Sequence, residues 1–189
     1  MDKKKAFVHD LSSILLRHGI FSGHEVKSLQ KAFKEASQET FDEFLLDEGL
    51  IDKEDLLKAL SEYYKTPAID LAGYFFQTFL VRKFPKGVML RNIFIPLEVD
   101  QNFMVIAAGE PNTPELLSIV GKYVSHDIQF RVSIKQDIID AIREFYDKSD
   151  AEVPEDLAIY DIDEDDIYRI ATREEGYSPE GLEEPGEEE

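Results

Sequence analysis

The 189-residue chain contains no cysteine. Disulfides, thiolate zinc sites and cysteine nucleophiles are therefore excluded, and the absence is in keeping with a reducing compartment. Long apolar runs are missing too. The amino terminus, MDKKKAFVHDLSSILLRHG, starts charged, and His9, Asp10, Ser12 and Ser13 interrupt its apolar residues. It reads as neither a secretory signal nor a membrane span, so the expected location is cytoplasmic. There is no glycine-rich loop ending in Gly-Lys-Ser/Thr of the kind that cradles ATP phosphates. The Gly-Lys at Gly121-Lys122 falls in a stretch read as helix and is followed by tyrosine. Histidine is sparse: His9, His18, His24 and His126 offer no i, i+4 pair, so no metal site is expected.

Positive charge is in deficit, with 21 lysines and arginines against 40 acids and a net charge of −19. From Ser149 to Glu189 there are seventeen acids and two arginines, a net of −15, which leaves −4 for the first 148 residues. No basic stripe exists to follow a phosphate backbone, so nucleic-acid binding is excluded. Carboxylates abound, but Asp47, Glu48, Asp52, Glu54 and Asp55 cluster at a helix elbow, where capping and solvation account for them. No catalytic constellation stands out, and neither an enzyme activity nor a cofactor is expected. The loop GEPNTPE, residues 109 to 115, reads as a strand-to-helix turn, with an anion contact at the helix amino end as the alternative.

What is present is mostly helical at first. Phe7, Leu11, Ile14 and Leu15 share one helix face that ends at Gly19. Ser22 with Glu25 predicts a capping box for a second helix, with Val26, Leu29 and Phe33 inward. Thr40 with Glu43 opens a third, carrying Phe41, Phe44 and Leu45 and stopped at Gly49. Asp52 caps a fourth, with Leu56, Leu60 and Tyr63 on its buried side. The phrase LLRHGIFSGHEV thus recurs as LLDEGLIDKEDL, two apolar pairs around a glycine at each elbow.

Beyond Pro67, YFFQTFLVRKF predicts one more helix, closed by Pro85. NIFIPLEV and FMVIAAG read as a hairpin across DQN. Thr113 and Pro114 open a helix through Ser125, DIQFRVS alternates as a strand, and Ser133 with Gln136 predicts a capping box for a last helix bearing Ile138, Ile142 and Phe145. The expected fold class is α+β. A subdomain of two helical hairpins (1–66) precedes a small α/β subdomain with a three-stranded sheet (67–148) and an acidic, largely disordered tail (149–189). Within the tail, LAIYDIDEDDIYRIA reads as a solvated linker or as a segment that folds onto a partner. Phe21, Phe33, Phe41, Tyr63, Tyr64, Tyr74 and Phe75 form a candidate partner surface, with burial in the core as the alternative.

The stretch FDEFLLDEGLIDKEDLLKALSEYYKTPAIDL, followed by FIPLEVDQNFMVIAAGEPNTPELLSIVGKYVSHDIQFRVSIKQDIIDAIREFYD, resembles the amino-terminal domain of type II secretion and type IV pilus assembly ATPases. The matching residues are Leu45, Leu46, Gly49, Leu50, Ile51, Leu56, Leu60, Pro67, Asp70 and Leu71, then Ile95, Pro96, Leu97, Val105, Ala107, Pro111, Asn112, Ile138, Ala141, Ile142, Phe145 and Tyr146. The resemblance covers about residues 10 to 147. It implies a non-catalytic docking or regulatory domain, free-standing or part of a longer ATPase. Its partners would be a secretion or pilus ATPase or an inner-membrane platform protein. Such partners would hold it at the inner face of the inner membrane without direct membrane insertion.

Some members of that family bind cyclic di-GMP through two repeats, each starting arginine-leucine-glycine and ending in glutamine. Aligned on Gly19 and Gly49, the starts fall on Asp10, Leu11 and Ser12 and on Thr40, Phe41 and Asp42, and the glutamine positions fall on Phe33 and Tyr63. The resemblance therefore marks Leu11, Leu15, Leu16, Gly19, Phe33, Leu45, Leu46, Gly49 and Tyr63 as ligand-motif positions, with the arginines, motif-start glycines and glutamines all replaced. Asp10 and Asp42 carry the wrong sign for a phosphate, whereas Phe33 and Tyr63 offer flat rings for a base. A cyclic-dinucleotide sensor with altered contacts is the alternative function.

Overall fold

The computed structural model describes residues 3–38 and 40–151. Its first four helices are α1 (Lys3–Arg17), α2 (Gly23–Phe33), α3 (Phe41–Asp47) and α4 (Lys53–Tyr64). The repeated phrase has one physical meaning at both elbows. Gly19 and Gly49 adopt positive φ, 71° and 62°. The Gly19 and Ile20 N–H groups donate to the carbonyls of Leu16 and Leu15, and those of Gly49 and Leu50 donate to Leu46 and Leu45. Each elbow is a Schellman turn, in which a left-handed residue satisfies the last carbonyls of a helix. The end of α4 repeats it with Lys65 at φ 53° and Thr66 N–H donating to Ser61.

At the start of α2, Ser22 N–H donates to Glu25 at 2.7 Å and Glu25 N–H to the Ser22 hydroxyl at 3.4 Å, the expected capping box. Thr40 N–H likewise donates to Glu43 at 3.3 Å ahead of α3. Leu11, Ile14, Leu15, Phe33, Phe41, Phe44, Leu45, Leu56 and Leu60 enter one core. In α4 the buried ring is Tyr64, and Tyr63, expected inside, is half-buried beside it.

After Pro67 the chain joins the sheet directly. Val132 N–H donates to the Pro67 carbonyl and Ile69 N–H to that of Val132, a short parallel bridge at Ala68. The run from Tyr74 to Phe84 is not the single helix expected. Tyr74 and Phe76 lie in irregular backbone, and α5 spans only Thr78–Val81. The Tyr74 hydroxyl meets the Leu97 carbonyl at 3.4 Å, a contact that holds the chain open before α5. Pro85, expected only to close a helix, stands at the N-cap of α6 (Lys86–Asn92), since proline is tolerated at a helix start and disfavours helical backbone before it.

The hairpin is as read: β1 (Phe94–Val99) pairs antiparallel with β2 (Phe103–Ala108), with a register shift between Pro96 and Glu98. A crossover through α7 (Pro114–Val120) brings β3 (Asp127–Val132) parallel to β2, giving the order β1-β2-β3. The helix α7 stops at Val120 rather than Ser125, because the chain must turn from Gly121 for Asp127 N–H to reach the Asn102 carbonyl. The last helix, α8, spans Lys135–Ala151. Its expected capping box is absent, since the Ser133 hydroxyl donates instead to the Ile69 carbonyl at 2.9 Å and Gln136 pairs with Asp140.

The fold is therefore α+β with a three-stranded sheet, as expected. A second core, of Leu80, Val81, Phe84, Met89, the strand residues, Leu116, Val120, Ile138 and Ile142, fills the space between the sheet and α5–α8. Val132 and Ile134, at the end of β3, belong to the helical core instead. The chain divides into two units, Met1–Lys148 and Ser149–Glu189. The segment LAIYDIDEDDIYRIA and the disorder expected of the acidic tail lie outside the described residues.

Candidate functional site

A cavity of about 330 Å³ opens where α1, the start of α3, the end of α4 and the loop after β2 meet. It lies at the small end of the range for ligand pockets. Lys3, Lys4 and Phe7 come from the first turns of α1, Thr40 and Phe41 from the start of α3, and Tyr63 and Tyr64 from the last turn of α4. Glu110, Asn112 and Thr113, from the loop read as a strand-to-helix turn, and Lys135 from α8 close it.

The walls are aromatic and tightly ordered. Phe7 meets Tyr63 edge-on at 4.9 Å between centroids, and Tyr63 meets Tyr64 edge-on at 4.8 Å. Asn112 donates its amide to the Tyr64 carbonyl at 3.1 Å, tying the loop to α4. Burial pushes the Tyr64 phenol well above its ordinary range, with the charges of Glu110 and Asp42 adding to it, and burial raises Tyr63 as well. Both hydroxyls therefore stay protonated and can donate.

The floor is a lysine. Lys135 is 8% exposed and its ammonium donates to Glu110 at 2.7 Å. Burial works to depress its pKa, but the Glu110 hydrogen bond and the charges of Asp42, Glu110 and Glu43 outweigh it, and the group sits above ordinary lysine. Its path requires Gly109: a Cβ there would lie 2.7 Å from Lys135 Cγ and 3.1 Å from Ile93 Cγ2. The Thr40 hydroxyl is buried with no hydrogen-bond partner among the described residues, and so is one Asp42 oxygen. The cavity thus combines ammonium groups, phenols and ring faces, a donor-rich environment for an anionic ligand with a flat apolar part.

The marked motif positions divide sharply. Leu11, Leu15 and Leu45 are fully buried, and Phe33 is 7% exposed against the rings of Phe41 and Phe44. Leu16 faces solvent, Leu46 is half-buried, and Gly19 and Gly49 are elbow residues with no wall role. Tyr63 reaches the cavity, together with Thr40 and Phe41 at the second repeat's start. Asp10 is exposed beside His9, with its charge acting on Tyr63 although it is not itself a lining residue, and Asp42 is buried in the first turn of α3. Sequence reasoning weighed only the aspartates and missed Lys3, Lys4 and Lys135. The lysine run after Met1 and Asp2 is the signal in the sequence that points to Lys3 and Lys4. The candidate aromatic partner surface does not form, because Phe33, Phe41 and Tyr64 are core and only Phe75 stands free. Among the described residues no cluster of side chains is arranged to hold a metal ion, and no helix is long and apolar enough to cross a membrane.

Residues 64–152 match the model of the MshEN domain, a match that begins at the end of α4, after both repeat elbows. Two solved structures share the fold. The structure of MshE with cdg superposes with a TM-score of 0.58 at 18% identity, covering 72% of this chain and 98% of that one. The amino-terminal domain of XpsE superposes with a TM-score of 0.51 at 14% identity, covering 76% of this chain and 96% of that one. No curated protein matches. The resemblance to the amino-terminal domain of secretion and pilus ATPases, expected from the sequence, is borne out.

Proposed function

We propose that this chain, whose residues 64–152 match the MshEN domain, is a docking and regulatory domain of a type II secretion or type IV pilus system. Domains of this kind are non-catalytic parts of the secretion ATPases. The reading places the chain in the cytoplasm, held at the inner membrane by an assembly ATPase or a platform component. It takes the helical hairpins (1–66), the sheet region (67–148) and the acidic stretch (149–189) as separate working parts. The observation that supports it is the fate of the repeats: Leu11, Leu15, Phe33 and Leu45 are all committed to the core. A repeat packed in this way serves as scaffold, and a scaffold presents surfaces to other proteins. Pull-down of the purified chain against the ATPase and the cytoplasmic parts of platform proteins should retain it. Retention by none of them defeats the reading.

A second reading is favoured by the cavity. MshE is solved with cdg, cyclic di-GMP, and the second repeat's start and glutamine position here, Thr40, Phe41 and Tyr63, line the pocket beside Lys3, Lys4 and Lys135. Lysines in place of the missing arginines supply the charge that two phosphates need, and Tyr63 supplies a ring. Calorimetry with cyclic di-GMP decides it: heat that disappears in Lys135→Met and Tyr63→Ala supports sensing, and silence in the unaltered chain removes it.

A further inference from the structure

In a chain rich in acids, one stretch carries none. From Leu71 to Leu97 the sequence carries Arg82, Lys83, Lys86 and Arg91 and no aspartate or glutamate. The same stretch holds the two most exposed large apolar side chains among the described residues, Phe75 at 86% and Phe79 at 60%. Their exposure is built in. Tyr74 and Phe76 pack against each other at 5.0 Å and against the sheet core, so the intervening Phe75 turns outward. In α5 the inward places are taken by Leu80 and Val81, both fully buried, which leaves Phe79 on the outer side. Arg82 caps the carboxyl end of α5 and Lys83 follows it in the turn, with its N–H donating to the Leu80 carbonyl, so both come directly after the short helix that carries Phe79. Both are exposed and make no ion pair among the described residues, in contrast to Arg17, Lys53, Lys58 and Lys135.

We propose that this face rests on the surface of an anionic lipid bilayer. Phe75 and Phe79 would seat at the acyl boundary, with Arg82 and Lys83 against the phosphate headgroups. Charge complementarity identifies the occupant class, and shape selects the bilayer over an acidic protein. Two exposed rings need matching pockets in any protein partner, whereas an interfacial lipid layer accepts them as they stand. The contact is peripheral, since no described helix can span. Attraction at the surface falls off within a Debye length of about 8 Å. Glu98 accepts from the Tyr74 hydroxyl at 3.4 Å. None of these residues belongs to the repeats or the cavity, so the inference stands apart from the docking and sensing readings.

The test is sedimentation of the 189-residue chain with vesicles of phosphatidylglycerol and phosphatidylcholine in equal parts, and with phosphatidylcholine alone. Binding to the mixed vesicles only, weakened by salt, is expected. Partitioning should fall at least about tenfold in Arg82→Glu/Lys83→Glu, and also fall in Phe75→Ser/Phe79→Ser. Unchanged thermal melting of both variants would show that the face, not the fold, has been altered. No binding to the mixed vesicles overturns the proposal. So does binding indifferent to both pairs, or a face that captures a purified acidic protein and no lipid.

Discussion

Phe33 shows how one side chain redirects a repeat. At a position where the family motif carries glutamine, it lies 5.3 Å from the Phe41 ring and 5.6 Å from Phe44, with the Lys4 ammonium 5.1 Å over its face. A buried ring of this size contributes through area and through edge-to-face contacts that a polar side chain cannot replace. Phe33→Ala should therefore lower unfolding free energy by about 3–5 kcal/mol in a urea titration. A loss below about 1 kcal/mol would mean the first repeat is not packed as described. Lys65 makes the opposite kind of prediction. It holds the left-handed turn that glycine holds at positions 19 and 49, a backbone shape that costs a side-chain-bearing residue about 1–2 kcal/mol. Lys65→Gly should leave stability unchanged or raise it by up to about 1 kcal/mol, read as a higher urea midpoint. Both effects are visible residue by residue: the glycines are plain in the sequence, while the left-handed Lys65 is not, since lysine carries no preference for that turn.

Between elements, the ion pairs of Lys53 join three segments of the chain. Its ammonium, at the start of α4, reaches Asp70 at 2.7 Å and Asp137 at 2.8 Å, so one lysine clips α4 to the chain after Pro67 and to the first turn of α8. Burial pulls the Lys53 pKa down, but its bonds to Asp137 and Asp70 prevail and raise it, while the Lys53 contact and the Ala72 N–H lower Asp70. The signs are opposite. Asp70 contributes stability above its ordinary value of 3.8 that is lost as pH falls through its depressed folded value. Lys53 and Lys135 contribute stability that is complete below 10.5 and lost as pH rises through their raised values. Tyr64 acts in the same direction, since folding favours its protonated form. Melting temperature should accordingly hold across neutral pH and fall at both extremes, and Asp70→Asn should flatten the acid limb and also weaken the Lys53 part of the alkaline one, since it removes one of the two carboxylates that raise Lys53. An unaltered acid limb in that variant would remove Asp70 from the account. None of this clip was legible beforehand, because Lys53, Asp70 and Asp137 are far apart in sequence and meet only when α4 and α8 approach the same end of the sheet.

For the molecule, the junction of the two cores is decisive. Val132 ends β3, receives the bridge from Ala68, and packs with Ile134 into the helical core. The helical hairpins are thus attached through a strand of the sheet and through Lys53, rather than through a free linker at Pro67. Residues 1–148 should unfold in a single cooperative transition, monitored by urea titration with two probes. Separate midpoints for the helical and sheet regions would show that the cores are independent. The same residues without the stretch from Ser149 should retain that transition, because the first unit has its own cores.

The sequence by itself determined the helical hairpins, their glycine elbows, the β-hairpin and the final strand and helix, because periodicity and capping chemistry act over a few residues. It also carried the family resemblance, since ordered leucine, glycine and proline positions survive without a structure. Tertiary contact decided the rest. It broke the run from Tyr74 to Phe84, where packing on β1 outweighed helical patterning, and moved Ser133 from a cap to a cross-link with Ile69. It gathered Lys3, Lys4, Tyr63 and Lys135 around one cavity from three helices that no local rule joins. It also turned Phe75 and Phe79 outward beside Arg82 and Lys83, because the core had room only for their neighbours.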